Sequence, residues 1–347
     1  MKIRDYIFNS LLGKSGVVFY DSRWLDSGGI GRFCKEIMAS KVTADTKKIE
    51  GSLSQALSVK DLFLSSFITV NGAYFISPGY NAPLFPCSKA IITVHDLMHL
   101  YFSEYQSIKN KLYYDIIVKR TVTSAPLVFT VSDFTRQEIS RWAKISIDKI
   151  IVVPNGVDHK FYHEAVLPIV RDRPYFLYVG NNKSHKNLKR LVSAYASSGL
   201  STEVDLLISC KPTPELSLLI AELDMTERVV FLCGVEESDL PSYYKGAVAT
   251  VVVSLYEGFC LPILESMAVG TPVITSNVTA MPETAGGAAL LVDPYDINSI
   301  RDGLVDIWQQ KLVRINLVEL GLKRAQMFSW ERSREIWDDA LIPILEK

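Results

Sequence analysis

Long apolar runs are missing from this 347-residue chain. The most hydrophobic stretches, Ala90 to Val94 and Ala249 to Leu255, fall far short of the roughly 18 residues needed to cross a bilayer, so no transmembrane segment is expected. Cysteine is scarce as well. Cys34, Cys87, Cys210, Cys233 and Cys260 are odd in number and far apart, mostly inside apolar stretches, which speaks against a disulfide framework or a zinc cluster and fits a reducing cytoplasm. Neither sign of charge is in surplus: 37 basic residues face 38 acidic ones, for a net charge of -1. That balance gives no bulk signal for nucleic acid, and any anionic ligand has to be held locally. Internal repeats and low-complexity segments are absent. The N-terminus lacks the long apolar centre and small-residue cleavage site of a secretory signal. It places Ile3, Ile7, Phe8, Leu11 and Leu12 on one helical face beside Lys2, Arg4 and Lys14, which reads as a helix packed on its own domain, with peripheral membrane contact as the alternative.

What is present is a composition of 48% hydrophobic and 22% charged residues on a chain too long for one ordinary hydrophobic core, which implies two domains. Short β-branched runs alternate with longer helical patterns, the signature of parallel βαβ units. The clearest strands are Gly16 to Tyr20, Ala90 to Val94 and Pro126 to Val131 in the first half. In the second they are Tyr175 to Val179, Val204 to Ile208, Val229 to Leu232, Ala249 to Ser254 and Pro272 to Thr275. Pro154 to Pro174 reads as the connection. The expected division is a Rossmann-like α/β domain over residues 1–165, a second over 166–330, and a C-terminal helix over 331–347. That helix carries Ile336, Trp337, Ala340, Leu341, Ile344 and Leu345 on one face, and is expected to pack back on the N-terminal domain. Two doubly wound sheets facing each other place ligands in a cleft at the C-terminal edges of their strands, so function is to be sought in loops that follow strands.

One such loop is Tyr256-Glu257-Gly258-Phe259-Cys260-Leu261-Pro262, after the strand ATVVVSL. Pro262 suits the first turn of a helix and Gly270 its C-terminal end, which puts Glu257 on the loop and Glu265 one turn inside the helix. Gly258 lets the backbone approach a ligand, and the helix start offers free N–H groups to an anion, a geometry that suits a diphosphate. Two solvated glutamates on a capped helix are the plainer alternative.

EGFCLPILESM resembles the Glu-Gly-Phe-Gly-Leu-Pro…Glu signature of the large family of retaining GT-B glycosyltransferases that use nucleotide sugars. The resemblance implies that Glu257 contacts donor-sugar hydroxyls and that the N–H groups of Gly258, Phe259, Cys260 and Leu261 approach the sugar and diphosphate. Glu265 would then accept bonds from ribose hydroxyls. Cys260 departs from the pattern, where the family has glycine. Ser27-Gly28-Gly29-Ile30-Gly31-Arg32 resembles the family's N-domain glycine loop, whose backbone meets donor phosphates. Val94-His95-Asp96-Leu97 resembles its His-Asp segment, which implies that His95 lies near the donor sugar. Val131-Ser132-Asp133-Phe134-Thr135, Val153-Pro154-Asn155-Gly156-Val157-Asp158 and Tyr178 to Leu188 match further landmarks, the last implying that Lys186 is the cation on the diphosphate. Many relatives have an arginine where this chain has His185 or Asn181.

The family reading implies a cytoplasmic hexosyltransferase with His95, Lys186 and Glu257 in catalytic roles, a nucleotide-sugar co-substrate, and a glycan or lipid-linked glycan acceptor. No cofactor or metal is expected, since no Asp-x-Asp occurs in the chain. Resemblance to bacterial polysaccharide and O-antigen enzymes suggests GDP-mannose as donor. The alternatives are a glycoside hydrolase using Glu257 and Glu265 as an acid pair, a phosphorylase, a non-catalytic sugar-nucleotide binder, an NAD enzyme built on Gly29-x-Gly31, and a metal cluster at His95, Asp96 and His99.

Overall fold

Short runs rich in Val, Ile, Leu and Phe, most of them buried on both faces, build sheets of four, six and two strands in which every pairing is parallel. The computed structural model describes residues 17–25, 28–50, 59–85, 87–102, 104, 107–162 and 166–346. The amphipathic stretch from Ile3 to Leu12 lies outside these residues. The chain divides into two units, Met1–Gly156 with Trp330–Lys347, and Val157–Ser329.

In the first unit, β1 (Val18–Asp21), β2 (Lys47–Ile49), β3 (Tyr74–Ser77) and β4 (Ala90–Ile92) lie in the order β2-β1-β3-β4. β5 (Val128–Thr130) pairs with β6 (Ile150–Val152). A parallel bridge from Thr93 to Phe129 joins the two sets, and Val94 N–H donates to Phe129 C=O at 2.8 Å. α1 (Gly28–Ile37) is tied to β1 by Tyr20 Oη, which donates to Cys34 C=O at 2.9 Å, and α2 (Asp133–Ala143) starts at Ser132, whose Oγ accepts from Thr135 N–H in the usual N-cap manner.

The second unit has β7 (Tyr175–Tyr178), β8 (Asp205–Ile208), β9 (Val229–Phe231), β10 (Ala249–Val252), β11 (Val273–Ser276) and β12 (Leu290–Val292) in the order β12-β11-β10-β7-β8-β9. Counted within the unit this is 6-5-4-1-2-3, the doubly wound order, with its switch point between β7 and β10. Its helices include α3 (Leu188–Ser197), α4 (Leu261–Ala268) and α5 (Lys311–Ala325). Phe176, Leu191, Tyr195, Leu206, Val251, Ile300 and Leu304 are among the side chains of its core.

The final helix, α6 (Trp330–Leu345), belongs to the first unit. Trp337 is fully buried, stacks on Phe129 at 4.0 Å and meets Phe33 edge-on at 6.0 Å. Both Asp338 oxygens accept backbone N–H groups, of Lys41 and Val42, and Arg334 pairs with Glu36 at 3.0 Å.

This architecture corrects two readings and extends a third. The units part between Gly156 and Val157 instead of at 165/166, because Val157 N–H donates to Phe328 C=O and Tyr162 Oη to Ala325 C=O, both in the second unit. Strands β2, β3, β6 and β12 join the eight read from the sequence. Gly28 to Gly31 form the opening turn of α1 and not a loop. Gly28 starts that turn at φ +57°, and a Cβ on Gly31 would collide with the Leu25 carbonyl, so glycine there is demanded by packing against the preceding turn.

Candidate active site

Lys186 follows β7 and Glu257 follows β10, the two strands that flank the switch point of the second unit. The Lys186 Nζ lies 2.5 Å from Glu257 Oε1, an ion pair between side chains only 17% and 10% exposed. Ser254 Oγ donates to the same carboxylate oxygen at 2.7 Å, and Glu257 N–H donates to Thr279 Oγ1 at 3.2 Å. A partner 71 residues away thus draws Lys186 inward. Lys183, next along the same turn, stays exposed.

Pro262 stands in the first turn of α4, and Gly270, just past its end, has φ +77°. Glu265 is buried in that helix and accepts from Tyr244 Oη at 2.9 Å. Neither glutamate is thus a solvated surface acid, and each has its own partners. Gly258, Phe259 and Cys260 are buried and Leu261 half-buried; Phe259 C=O accepts from Thr284 Oγ1, and its ring meets Phe328 edge-on at 5.8 Å. Cys260 holds φ +79°, the left-handed region, which gives glycine at this position a backbone reason independent of ligand. Burial, with the Glu257 charge second, holds its thiol well above the usual range, so it is not a thiolate nucleophile.

In the first unit, His95 is buried, with Nε2 2.7 Å from Pro78 C=O and its ring 5.0 Å from that of Phe33 on α1. Since a carbonyl only accepts, Nε2 carries the proton and Nδ1 is left as an acceptor. Burial lowers its pKa to about 4 and keeps the ring neutral. Asp96 Oδ1 accepts Met98 N–H, and His99 stacks on Tyr114 at 3.4 Å, so these side chains close a turn and an aromatic pair; among the described residues no group of three His, Cys, Asp or Glu is arranged to hold a metal ion. Gly28 and Gly29 have open space around their α-carbons, whereas Gly31 does not.

The two buried imidazoles make acid sensitivity an expected result. His95 and His99 titrate near 6.5 when unfolded and near 4 when folded, in both cases chiefly because of burial, with Asp115 partly opposing the shift at His99. Between those values the unfolded chain binds more protons, so stability is complete above pH 6.5 and is lost as pH falls toward 4. For His95 the loss is on the order of 3 kcal/mol. Urea midpoints measured from pH 7 to 4 should fall, and His95→Gln should flatten part of the slope; an unchanged slope would remove the buried neutral imidazole as its source.

The chain matches the family model of Glycosyl transferases group 1 over residues 161–324 and that of Glycosyltransferase Family 4 over residues 58–161. It is 32% identical over 256 residues to O-antigen chain mannosyltransferase B of Escherichia coli, which covers 70% of this chain and 67% of that one. It belongs to the group 1 glycosyl transferases. This glycosyltransferase is also 30% identical to O-antigen chain mannosyltransferase RfbU of Salmonella typhimurium over 63% of its own length and 60% of that protein's. Against MMP alpha-(1->4)-mannosyltransferase of Mycolicibacterium hassiacum the identity is 31%, over 61% and 53% of the two lengths. Its fold is the GT-B type. Sucrose-phosphate synthase from Thermosynechococcus elongatus superposes with a TM-score of 0.75 over 96% of this chain and 100% of that one, at 21% identity. WaaG, a glycosyltransferase involved in lipopolysaccharide biosynthesis, gives 0.74 over 93% and 99%, at 16% identity. Among the described residues of this glycosyltransferase no helix is long and apolar enough to cross a membrane.

Sequence reasoning missed several residues of the site. Ser254 and Thr279 hold Glu257, and Tyr244 holds Glu265. Asn187 sits at φ +63° with its side chain buried. Asparagine after a strand is a known left-handed candidate, but the partners of these groups come from elsewhere in the chain.

Proposed function

We propose that this glycosyltransferase moves a hexose, with retention of anomeric configuration, from a nucleotide diphosphate sugar to a glycan or lipid-linked glycan in bacterial O-antigen or polysaccharide synthesis. GDP-mannose is the first donor to try, because the relatives matched over most of the chain bear mannosyltransferase names. The observation that carries the reading is the Lys186–Glu257 pair at the switch point, just ahead of the α4 N-terminus. In such a transfer the departing nucleoside diphosphate gathers negative charge while the sugar becomes oxocarbenium-like, and fixed donors aimed at that charge supply most of the acceleration. Lys186 and the α4 N-terminus stabilise the diphosphate, and the backbone of Gly28, Gly29, Ile30 and Gly31 meets donor phosphates. Glu257 and the His95 Nδ1 acceptor hold sugar hydroxyls, along with the backbone of Gly258, Phe259, Cys260 and Leu261. Glu265 takes the ribose.

A nucleotide-sugar screen followed by NMR of the product tests this: a product of inverted anomeric configuration overturns retention, and turnover with uridine donors alone overturns the guanine nucleotide. The scheme runs without a metal ion, so transfer is expected to persist in excess chelator; loss of activity restored by manganese or magnesium rejects it. Glu265→Gln is expected to raise the donor Michaelis constant more than it lowers turnover, because a hydrogen bond to a charged group is worth roughly 1.5 to 3 kcal/mol and is made to the bound donor as well. Abolished turnover at unchanged donor affinity would instead make Glu265 part of the chemistry.

A further inference from the structure

The turn that carries Lys186 is tied to the end of β10 on both sides of the lysine. On one side His185 C=O accepts from Leu255 N–H at 2.7 Å. On the other, Asn187 sends its side-chain amide to two backbone carbonyls, Val253 at 2.9 Å and Pro294 at 2.8 Å, while its Oδ1 accepts from Arg190 Nη1 at 2.9 Å. Asn187 is 4% exposed and held at φ +63°, where most side chains are strained and asparagine is among the better tolerated. Its three bonds reach the ends of two different strands and the first turn of α3, so all four hydrogen-bonding valences but one lone pair are used inside the protein. Glu257 lies four residues beyond Val253 and two beyond Leu255 on the same segment. The bonds that fix the backbone at residues 185 and 187 therefore hold the ammonium donor against the stretch that presents its carboxylate partner.

We propose that Asn187 is a positioning residue for the transfer reaction: its amide clamp to the Val253 and Pro294 carbonyls aims the Lys186 ammonium at the charge of the departing diphosphate. The role rests on the catalytic reading of Lys186. A long lysine stem has many rotamers and its ammonium needs a fixed origin to act as a preorganised charge, and displacement of a catalytic group by about 1 Å costs on the order of 10²-fold in rate. Asn187 touches no substrate atom in this scheme. It acts through the backbone of its neighbour.

Asn187→Gly keeps the left-handed backbone at no steric cost and removes the clamp, and so separates positioning from strain. Turnover is expected to fall about 10- to 100-fold with a smaller change in donor Michaelis constant. The deciding measurement is the cycle of Asn187→Gly, Lys186→Ala and the double variant, each assayed below its melting transition. If the clamp works through Lys186, the glycine variant loses turnover in the native background and little further in the Lys186→Ala background. An equal loss in both backgrounds makes Asn187 a general fold element and overturns the proposal, as does undiminished turnover in the single variant. Wild-type turnover in Lys186→Ala would remove the catalytic reading of the lysine and the clamp's purpose with it, a result distinct from additivity. Asn187→Asp, which keeps the volume and the acceptor for Arg190 but has no donor for the two carbonyls, is expected to show the same non-additivity, and decides the matter if the glycine variant fails to fold.

Discussion

Lys186→Ala is expected to lower turnover by about 10² to 10³, with a smaller loss of donor affinity. The magnitude is that of removing one preorganised electrostatic contact from a charge that grows along the reaction coordinate. The asymmetry between turnover and affinity follows because the ammonium meets more negative charge in the transition state than in the bound donor. In the free enzyme the ammonium is engaged by Glu257 at 2.5 Å, so the diphosphate has to compete with a carboxylate that is itself 90% buried. That competition is itself a source of differential binding: a fully formed leaving group draws the ammonium more strongly than the intact donor does. The same ion pair gives the variant a cost in stability, about 1.5 to 3 kcal/mol, since a buried carboxylate loses a charged hydrogen-bond partner while keeping Ser254. Activity is therefore to be compared below the melting transition of the variant. Lys183→Ala serves as the control, because it removes the same formal charge from an exposed neighbour in the same turn. Equal and mild losses in the two variants would reduce Lys186 to part of a diffuse positive field.

The stretch from Glu257 to Gly270 was readable in the sequence because its signals are local. A proline is best accommodated in the first turn of a helix, a glycine tolerates the backbone past its end, and a preceding run of buried β-branched residues marks the strand; the structure places Pro262, Gly270 and β10 accordingly. The same locality explains what was not legible. β2 is Lys-Lys-Ile and becomes a strand only because β1 offers it a paired edge. β12, Leu-Leu-Val, is an edge strand with Leu291 43% exposed, and its apolar run is too short to announce itself. The glycines at 28 to 31 look like a loop until the Leu25 carbonyl is seen against Gly31. The partners of Lys186, Asn187 and Glu265 lie 71, 66 and 21 residues away, and no periodicity in a single sequence encodes such pairings. What pattern reading recovers is where the chain turns and which face it buries. It does not recover which polar groups are taken inside together.

A second case of that kind carries the largest expected effect on stability. Asp21, the last residue of β1, is fully buried, and Arg23 grips it with two bonds, Nε to Oδ1 at 2.7 Å and Nη2 to Oδ2 at 2.8 Å. The guanidinium is itself only 6% exposed, and Asn81 Nδ2 completes the carboxylate at 2.7 Å from the segment that follows β3. The pair sits at the C-terminal edge of the first unit's sheet, just before the turn that opens α1, and the Asn81 bond ties that edge to the loop whose Pro78 carbonyl fixes His95. Two charges taken out of water repay their desolvation only while both are present and well aligned, so removing one strands the other. Arg23→Leu keeps most of the apolar volume yet leaves a carboxylate in the interior with only the Asn81 amide and the backbone N–H of residue 23 to satisfy it. The expected loss is about 3 to 5 kcal/mol in denaturant unfolding, against a few tenths for an exposed arginine such as Arg171. Adding Asp21→Asn to Arg23→Leu removes the stranded charge and should restore more than half of the loss, a non-additivity that a mere packing defect at residue 23 would not show. If Arg23→Leu costs under 1 kcal/mol, or if the second substitution deepens the loss, then water reaches the Asp21 carboxylate in solution and the charge is not held by its partner. A loss that follows the expected pattern would mean that the strand end beside the Gly28 turn is held by charge pairing, and that a neutral replacement of both groups is the route to a more stable enzyme with the same turn.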